Sequence, residues 1–184
     1  MKKLILVCLL GGSMSLPAQQ PLSYPQLLES TREIDLSDSL HFNTSPEEVS
    51  AIDSINVIKW FGNILPAGAA NKFKNRVFSL VGRITMQTNF DLLILLEEKN
   101  RKDSTGTQVV YLISVKKTGD FIASLKAAVG GTKRRTAYNI SSCLYKDYKI
   151  IQDSRITINE KPYNDMAWYK INSGGRFVSQ PKFE

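Results

Sequence analysis

Hydrophobic and polar positions change their period along this chain of 184 residues. Residues 4–10 form one short apolar run behind Lys2 and Lys3, and Gly11, Gly12 and Ser13 interrupt it. A polar, mixed stretch follows to about residue 44, in which 24–31 has the composition of a short helix with Pro25 in its first turn. Ser45-Pro46-Glu47-Glu48 then has the chemistry of a helix start: a capping serine, a proline at the first helical position and two acids against the positive end of the helix dipole. Val49, Ile52, Ile55, Ile58 and Phe61 recur every three residues. That spacing predicts a helix over 46–61, although the β-branched content is high for one.

From Arg76 the period becomes two. Phe78, Leu80, Ile84 and Met86 are apolar, while Ser79, Arg83 and Thr85 are polar. Residues 90–96 form a nearly continuous apolar run, as expected of a strand covered on both faces. The predicted N-terminal helix is the available cover. Strands are also expected over 108–115, 121–129, 138–144, 148–158, 166–171 and 177–178. The connections are a charged loop over 97–106, a tight turn at Lys117-Thr118-Gly119-Asp120, a basic glycine loop over 130–135, a break at Lys161-Pro162 and a turn at Ser173-Gly174-Gly175. Tyr111–Ser114 leading to Gly119–Ile122 has an echo in Tyr169–Asn172 leading to Gly175–Val178. Without a fixed period, this is one hairpin solution used twice.

Short connections between successive strands dictate antiparallel pairing. The expected fold is therefore α+β and β-rich: a curved antiparallel meander of about seven or eight strands with the N-terminal helix packed on one face. A closed β-barrel is the alternative.

The amino terminus changes the picture most. A positive start, a short apolar run and small residues up to Ala18 form the pattern of a cleavable signal peptide over 1–18. A spanning helix needs about 20 apolar residues, more than this run holds before its glycines. Cys8 has no small residue just before it, which argues against lipidation there. The expected organisation is a signal peptide (1–18), an N-terminal polar segment (19–44) and one β-rich domain (45–184), with no transmembrane segment after cleavage. Without Lys2 and Lys3 the chain keeps 22 basic and 17 acidic residues, a mild positive excess that favours anionic partners or simple solubility. No nucleic-acid-binding motif is recognisable. Cys143 would be the sole cysteine of the mature chain, so packing rather than a disulfide must hold the domain.

Candidate chemistry is sparse. His41 is the single histidine, which weakens any zinc site; no metal or cofactor is expected. A Cys143–His41 pair is arithmetically possible, against a strand cysteine and an unrelated loop histidine. Glu97 and Glu98, as neighbours on an extended chain, would point to opposite faces. Lys133, Arg134 and Arg135 behind Gly130-Gly131 form the densest basic cluster, without phosphate-loop spacing. Trp60, Tyr163, Trp168 and Tyr169 are aromatics able to line a carbohydrate or peptide surface, or to fill the core. Trp168, Tyr169, Arg134 and Arg135 are the binding candidates. Asp38-Ser39-Leu40 and Asp103-Ser104-Thr105 fit a short Asp-Ser/Thr pattern similar to a Bacteroidetes O-glycosylation sequon, making Ser39 and Ser104 candidate sites in surface loops; Asp53-Ser54-Ile55 fits too but falls inside the predicted helix.

The leader, the run over 90–96, the segment 111–125 (YLISVKKTGDFIASL) and the closing 169–178 (YKINSGGRFV) resemble small exported Bacteroidetes proteins of unknown function. The resemblance covers strand-and-turn chemistry over about residues 76–178. It implies an envelope or secreted location and a β-rich fold, and it carries over no catalytic residue. The expected function is non-enzymatic binding or scaffolding in the cell envelope, with an envelope protein or polysaccharide as partner. The alternatives are a carrier of a small amphipathic ligand inside a rolled sheet, and a hydrolase built from scattered carboxylates or hydroxyls.

Overall fold

A computed structural model describes residues 20–44, 49–65, 73, 75–85, 89–99 and 106–182. The predicted leader over 1–18, the helix start at 45–48 and Ser104 lie outside the described residues. The elements are α1 (Tyr24–Glu29), β1 (Glu33–Ile34), β2 (Ser39–Phe42), α2 (Ser54–Phe61), β3 (Arg76–Ile84), β4 (Phe90–Lys99), β5 (Thr107–Lys116), β6 (Phe121–Lys133), β7 (Thr136–Tyr145), β8 (Lys149–Ile158), β9 (Lys161–Ile171) and β10 (Phe177–Gln180).

The strands form one mostly antiparallel sheet in the order β1-β3-β4-β5-β6-β7-β8-β9-β10, with β2 paired to β7. The sheet is open, so the closed-barrel alternative does not hold: the path ends on β1 at one edge and β10 at the other. Ten strands replace the expected seven or eight. The additional ones are β1 and β2, too short to carry a period of their own; β1 runs parallel to β3 and β2 antiparallel to β7. Residues 20–44 are thus part of the sheet, and Tyr24, Leu27 and Phe42 are buried in its cores.

Several boundaries move for physical reasons. The helix predicted over 46–61 is present only as Ser54–Phe61. Before it, Ala51 bridges Ser79 and the Ile52 amide donates to the Phe78 carbonyl, so the β-branched run is partly used as strand. The charged stretch expected to loop from Glu97 continues β4 to Lys99, and both glutamates are buried. Gly130 and Gly131 belong to β6, and the turn narrows to Arg134 and Arg135, with Arg134 at φ 56°. The expected break at Lys161-Pro162 is instead the start of β9, with Pro162 opposite Thr157. Asn159 and Glu160 make that turn at φ 47° and 67°, the left-handed geometry that suits a two-residue hairpin. Pro162 can sit there because β10 pairs β9 only from Trp168 onward, leaving its other side a free edge.

The packing is layered. Leu93 and Leu95 of β4, with Tyr111, Ile113 and Val115 of β5, face Tyr24, Leu27, Val57 and Phe61 of the two short helices. On the opposite face Leu92, Ile94, Leu96, Val110 and Leu112 meet Phe42, Leu144, Ile150 and Ile171 from the other half of the sheet. The halves join at β6 and β7, which pair only through Val129–Lys133 against Ile140–Thr136. Beyond that corner β7 leaves β6 and takes β2 as its neighbour. The Ser142 hydroxyl donates to the Ala127 carbonyl, and Gln152 Nε2 donates to the Lys126 carbonyl, filling backbone acceptors of β6 where β7 has peeled away.

Candidate functional site

In the other direction from this corner, where β6 and β7 remain paired, β6, β7, β8 and β9 run together as an arm. Its register fixes which side chains share a face, because directly opposed residues project together. Lys133, Thr136, Ile158 and Lys161 form one row across the arm tip. The next row holds Tyr138, Ile156 and Tyr163, and the one after that Ile140, Ser154 and Asp165. Ile158 is 41 % exposed and Tyr163 53 % exposed, although both are large and apolar. Lys133, Arg134, Arg135 and Lys161 are all exposed, and the described ion pairs engage none of them. The amide of Asn159 donates to the Arg135 carbonyl, which holds the two tip turns side by side. Among the described residues the tip therefore carries four cations against the carboxylate of Glu160, around an apolar and aromatic centre.

The predicted contact residues divide. Arg134 and Arg135 lie at this tip. Trp168 and Tyr169 do not: they sit seven and eight positions along β9 from Lys161, roughly 23 Å or more away. They also point to opposite faces. Tyr169 packs against the core, while Trp168 is half-buried on the outer face beside Ile151 and Gln180. Trp60 packs against Tyr24, with ring centroids 5.5 Å apart, and its indole N–H donates to the Leu22 carbonyl. Ser39 is the first residue of β2, half-buried opposite Tyr145, rather than a loop residue. Lys161, Tyr138, Ile156 and Ile158 were not singled out in the sequence, because only the strand register brings them beside Lys133.

On the outer face His41 stands directly opposite Cys143, with Nε2 3.6 Å from Sγ. The histidine is on a strand, so the expectation of an unrelated loop histidine is corrected. Tyr145 titrates above its ordinary value, mainly through its hydrogen bond with the same thiol. Asp153 borders this hollow, yet its Oδ2 already accepts two hydrogen bonds from Arg155.

The remaining buried acids are structural. Glu97 pairs with Arg76 at 2.6 Å and accepts from the Tyr111 hydroxyl at 2.9 Å. Asp91 accepts from the Tyr24 hydroxyl at 3.0 Å and pairs with Lys117, tying α1 to the sheet. Burial raises both tyrosines well above the ordinary value, and the adjacent carboxylates add to the effect. Glu98 points the other way and accepts from Gln108. The described residues hold no group of three or more His, Cys, Asp or Glu able to take a metal ion, and no described helix is long and apolar enough to cross a membrane.

A second concavity, about 650 Å³, lies between the sheet and the strap formed by β1 and β2. Leu80 and Val81 of β3, Ile94 and Leu96 of β4 and Val110 of β5 line it, with Ile34, Leu40 and Phe42 opposite. Comparison with protein-family models, curated proteins and solved structures finds no match to this chain.

Proposed function

We propose that this is an exported, non-enzymatic binding protein of the cell envelope, and that the tip of the arm formed by β6, β7, β8 and β9 seats an acidic polysaccharide. The observation that carries this reading is the row structure of the tip: exposed Tyr163, Ile158 and half-buried Tyr138 framed by Lys133, Arg134, Arg135 and Lys161. Tyrosine rings offer flat apolar faces to sugar rings, and lysine or arginine forms charge-assisted hydrogen bonds with uronate carboxylates. A face that runs across β6, β7, β8 and β9 also suits a polymer that runs past it. The non-enzymatic part is supported by two of the groups with raised protonation equilibria, Tyr24 and Tyr111, being engaged in packing networks. Export is supported by the leader pattern over 1–18.

The test is a titration of the purified chain with polygalacturonate and, separately, with its fully methyl-esterified form. Binding to the acid form that weakens steeply with salt, and is lost in an Arg134→Ala/Arg135→Ala/Lys161→Ala variant, is the expected result. Equal binding of the neutral ester, or no binding of either, overturns the assignment of partner. The amino-terminal residue of protein recovered from the envelope fraction tests export: a start near Gln19 is expected, and an intact Met1 overturns it.

A further inference from the structure

The crevice beneath the β1–β2 strap has features of a ligand site that are independent of the arm. Three backbone anchors frame it. Glu33–Ile34 pair with Arg83–Ile84, Ser39–Phe42 pair with Tyr145–Ser142, and Ala51 bridges Ser79. The strap crosses from one half of the sheet to the other between the first two anchors, with Ile34, Leu36 and Leu40 packed against the core along it. A register shift in β3 between Leu80 and Gly82 leaves Val81, a lining residue, without a partner on β4. The anchor at its edge is tight: a Cβ on Gly82 would lie 2.5 Å from Ile34 Cδ1.

Protein interiors hold few voids larger than a water molecule. An open concavity of about 650 Å³, lined by apolar and polar groups together, falls instead within the usual range for small-ligand pockets, ~300–1,000 Å³. Its walls are aliphatic, with Phe42 the single aromatic, which suits a flexible hydrocarbon better than a stacked ring. The polar residues along it are Ser30, Thr31, Arg32, His41, Asn43 and Ser50, and no carboxylate is among its lining residues. Arg32 is exposed and carries the fixed charge.

We infer that this crevice binds a single-chain carboxylate amphiphile of the fatty-acid class, its chain along the half-buried Ile34, Leu40, Val49 and Val81 and its head at the Arg32 side. The experiment is native mass spectrometry of the delipidated chain titrated with palmitate and, separately, with hexadecanol. A one-to-one palmitate adduct is expected. Val81→Trp fills the floor and removes the adduct. Val49→Trp, outside any strand, obstructs the same space without touching the sheet, and circular dichroism establishes that each variant is folded. Arg32→Glu weakens palmitate by about tenfold and leaves hexadecanol unchanged. Absence of any adduct, or an adduct that survives both tryptophan variants in folded protein, overturns the site. Equal retention of palmitate and hexadecanol by Arg32→Glu overturns the carboxylate assignment. The arm variant that loses polygalacturonate keeps the palmitate adduct, so the two readings fail separately.

Discussion

Tyr111→Phe removes one oxygen from the layer between the helices and the sheet. That hydroxyl donates at 2.9 Å to Glu97, a buried carboxylate whose other oxygen is paired with Arg76 at 2.6 Å. The phenylalanine ring fills the same space, so the change isolates a hydrogen bond to a charged acceptor, a class worth about 1.5–3 kcal/mol. Because the Arg76 pair survives, we place the loss near 2 kcal/mol, less than the ~3–5 kcal/mol expected when Glu97→Ala strands the Arg76 cation. Urea unfolding followed by tryptophan fluorescence reads this as a lower midpoint with unchanged slope. The same residue sets an alkaline limit. Burial raises the folded Tyr111 above its ordinary 10.0, and the Glu97 charge raises it further. Above pH 10 the unfolded chain has released a proton that the native state keeps, so stability is whole below pH 10 and falls as pH rises past it. The slope approaches ~1.4 kcal/mol per pH unit for each such tyrosine. Tyr24 is shifted in the same direction by burial and Asp91, and Tyr145 by its hydrogen bond with Cys143, so Tyr111→Phe lessens the alkaline slope rather than abolishing it. A variant within about 0.5 kcal/mol of the parent at pH 7, with an unchanged alkaline slope, refutes the reasoning.

Gln152→Ala leaves the Lys126 carbonyl without its donor at the corner where β7 leaves β6, and urea unfolding is expected to register a loss of about 1–3 kcal/mol. Tyr163→Ala is expected to change stability by less than about 1 kcal/mol, because the ring is 53 % exposed, yet to weaken polygalacturonate binding; a large stability loss would make Tyr163 a packing residue instead. Cys143→Ser is expected to leave polysaccharide and palmitate binding intact, and the parent thiol, 9 % exposed, to react slowly with a bulky maleimide; loss of either binding activity would bring the His41–Cys143 pair into function.

The central strands were legible because their own residues carry the signal. The run over 90–96 is apolar on both faces, and Leu92, Ile94 and Leu96 do pack on one side while Leu93 and Leu95 pack on the other. The Gly119 turn was legible for a similar reason: at φ 93° it needs glycine, and a Cβ there would also meet Trp60 at 2.6 Å. Where partners decide the structure, local pattern misled. Glu97 and Glu98 look like a solvated loop until Arg76, Tyr111 and Gln108 are beside them. The spacing of Val49, Ile52 and Ile55 suits a helix, but Ala51 and Ile52 have backbone partners on β3, and the turnover to helix waits until Ser54. β1 has only two residues, and nothing but Arg83 and Ile84 makes it a strand. The arm site shares this limit: alternation shows that Tyr163 and Lys161 share a face, and only register adds Tyr138, Ile156 and Lys133.

That division also separates what stabilises the chain from what can bind. β4 and β5 are covered on both faces, by the helices and by the second half of the sheet, so apolar side chains there are already used in folding. Cover ends at the corner where Ser142 and Gln152 reach back to β6. Past it, Ile158 and Tyr163 keep the alternating pattern of a half-buried strand, yet nothing in the described chain lies over them. β-propensity alone accounts for such residues in a strand, but not for four cations gathered around them with no carboxylate partner among the described ion pairs. Cations clustered like this repel one another and gain nothing for the fold, whereas an anionic partner relieves the repulsion and covers the exposed rings at once. The arm is thus where an acidic polymer would gain most while disturbing the core least, and the crevice beneath the strap, walled by core residues, is where any occupant would be coupled to stability as well as to binding.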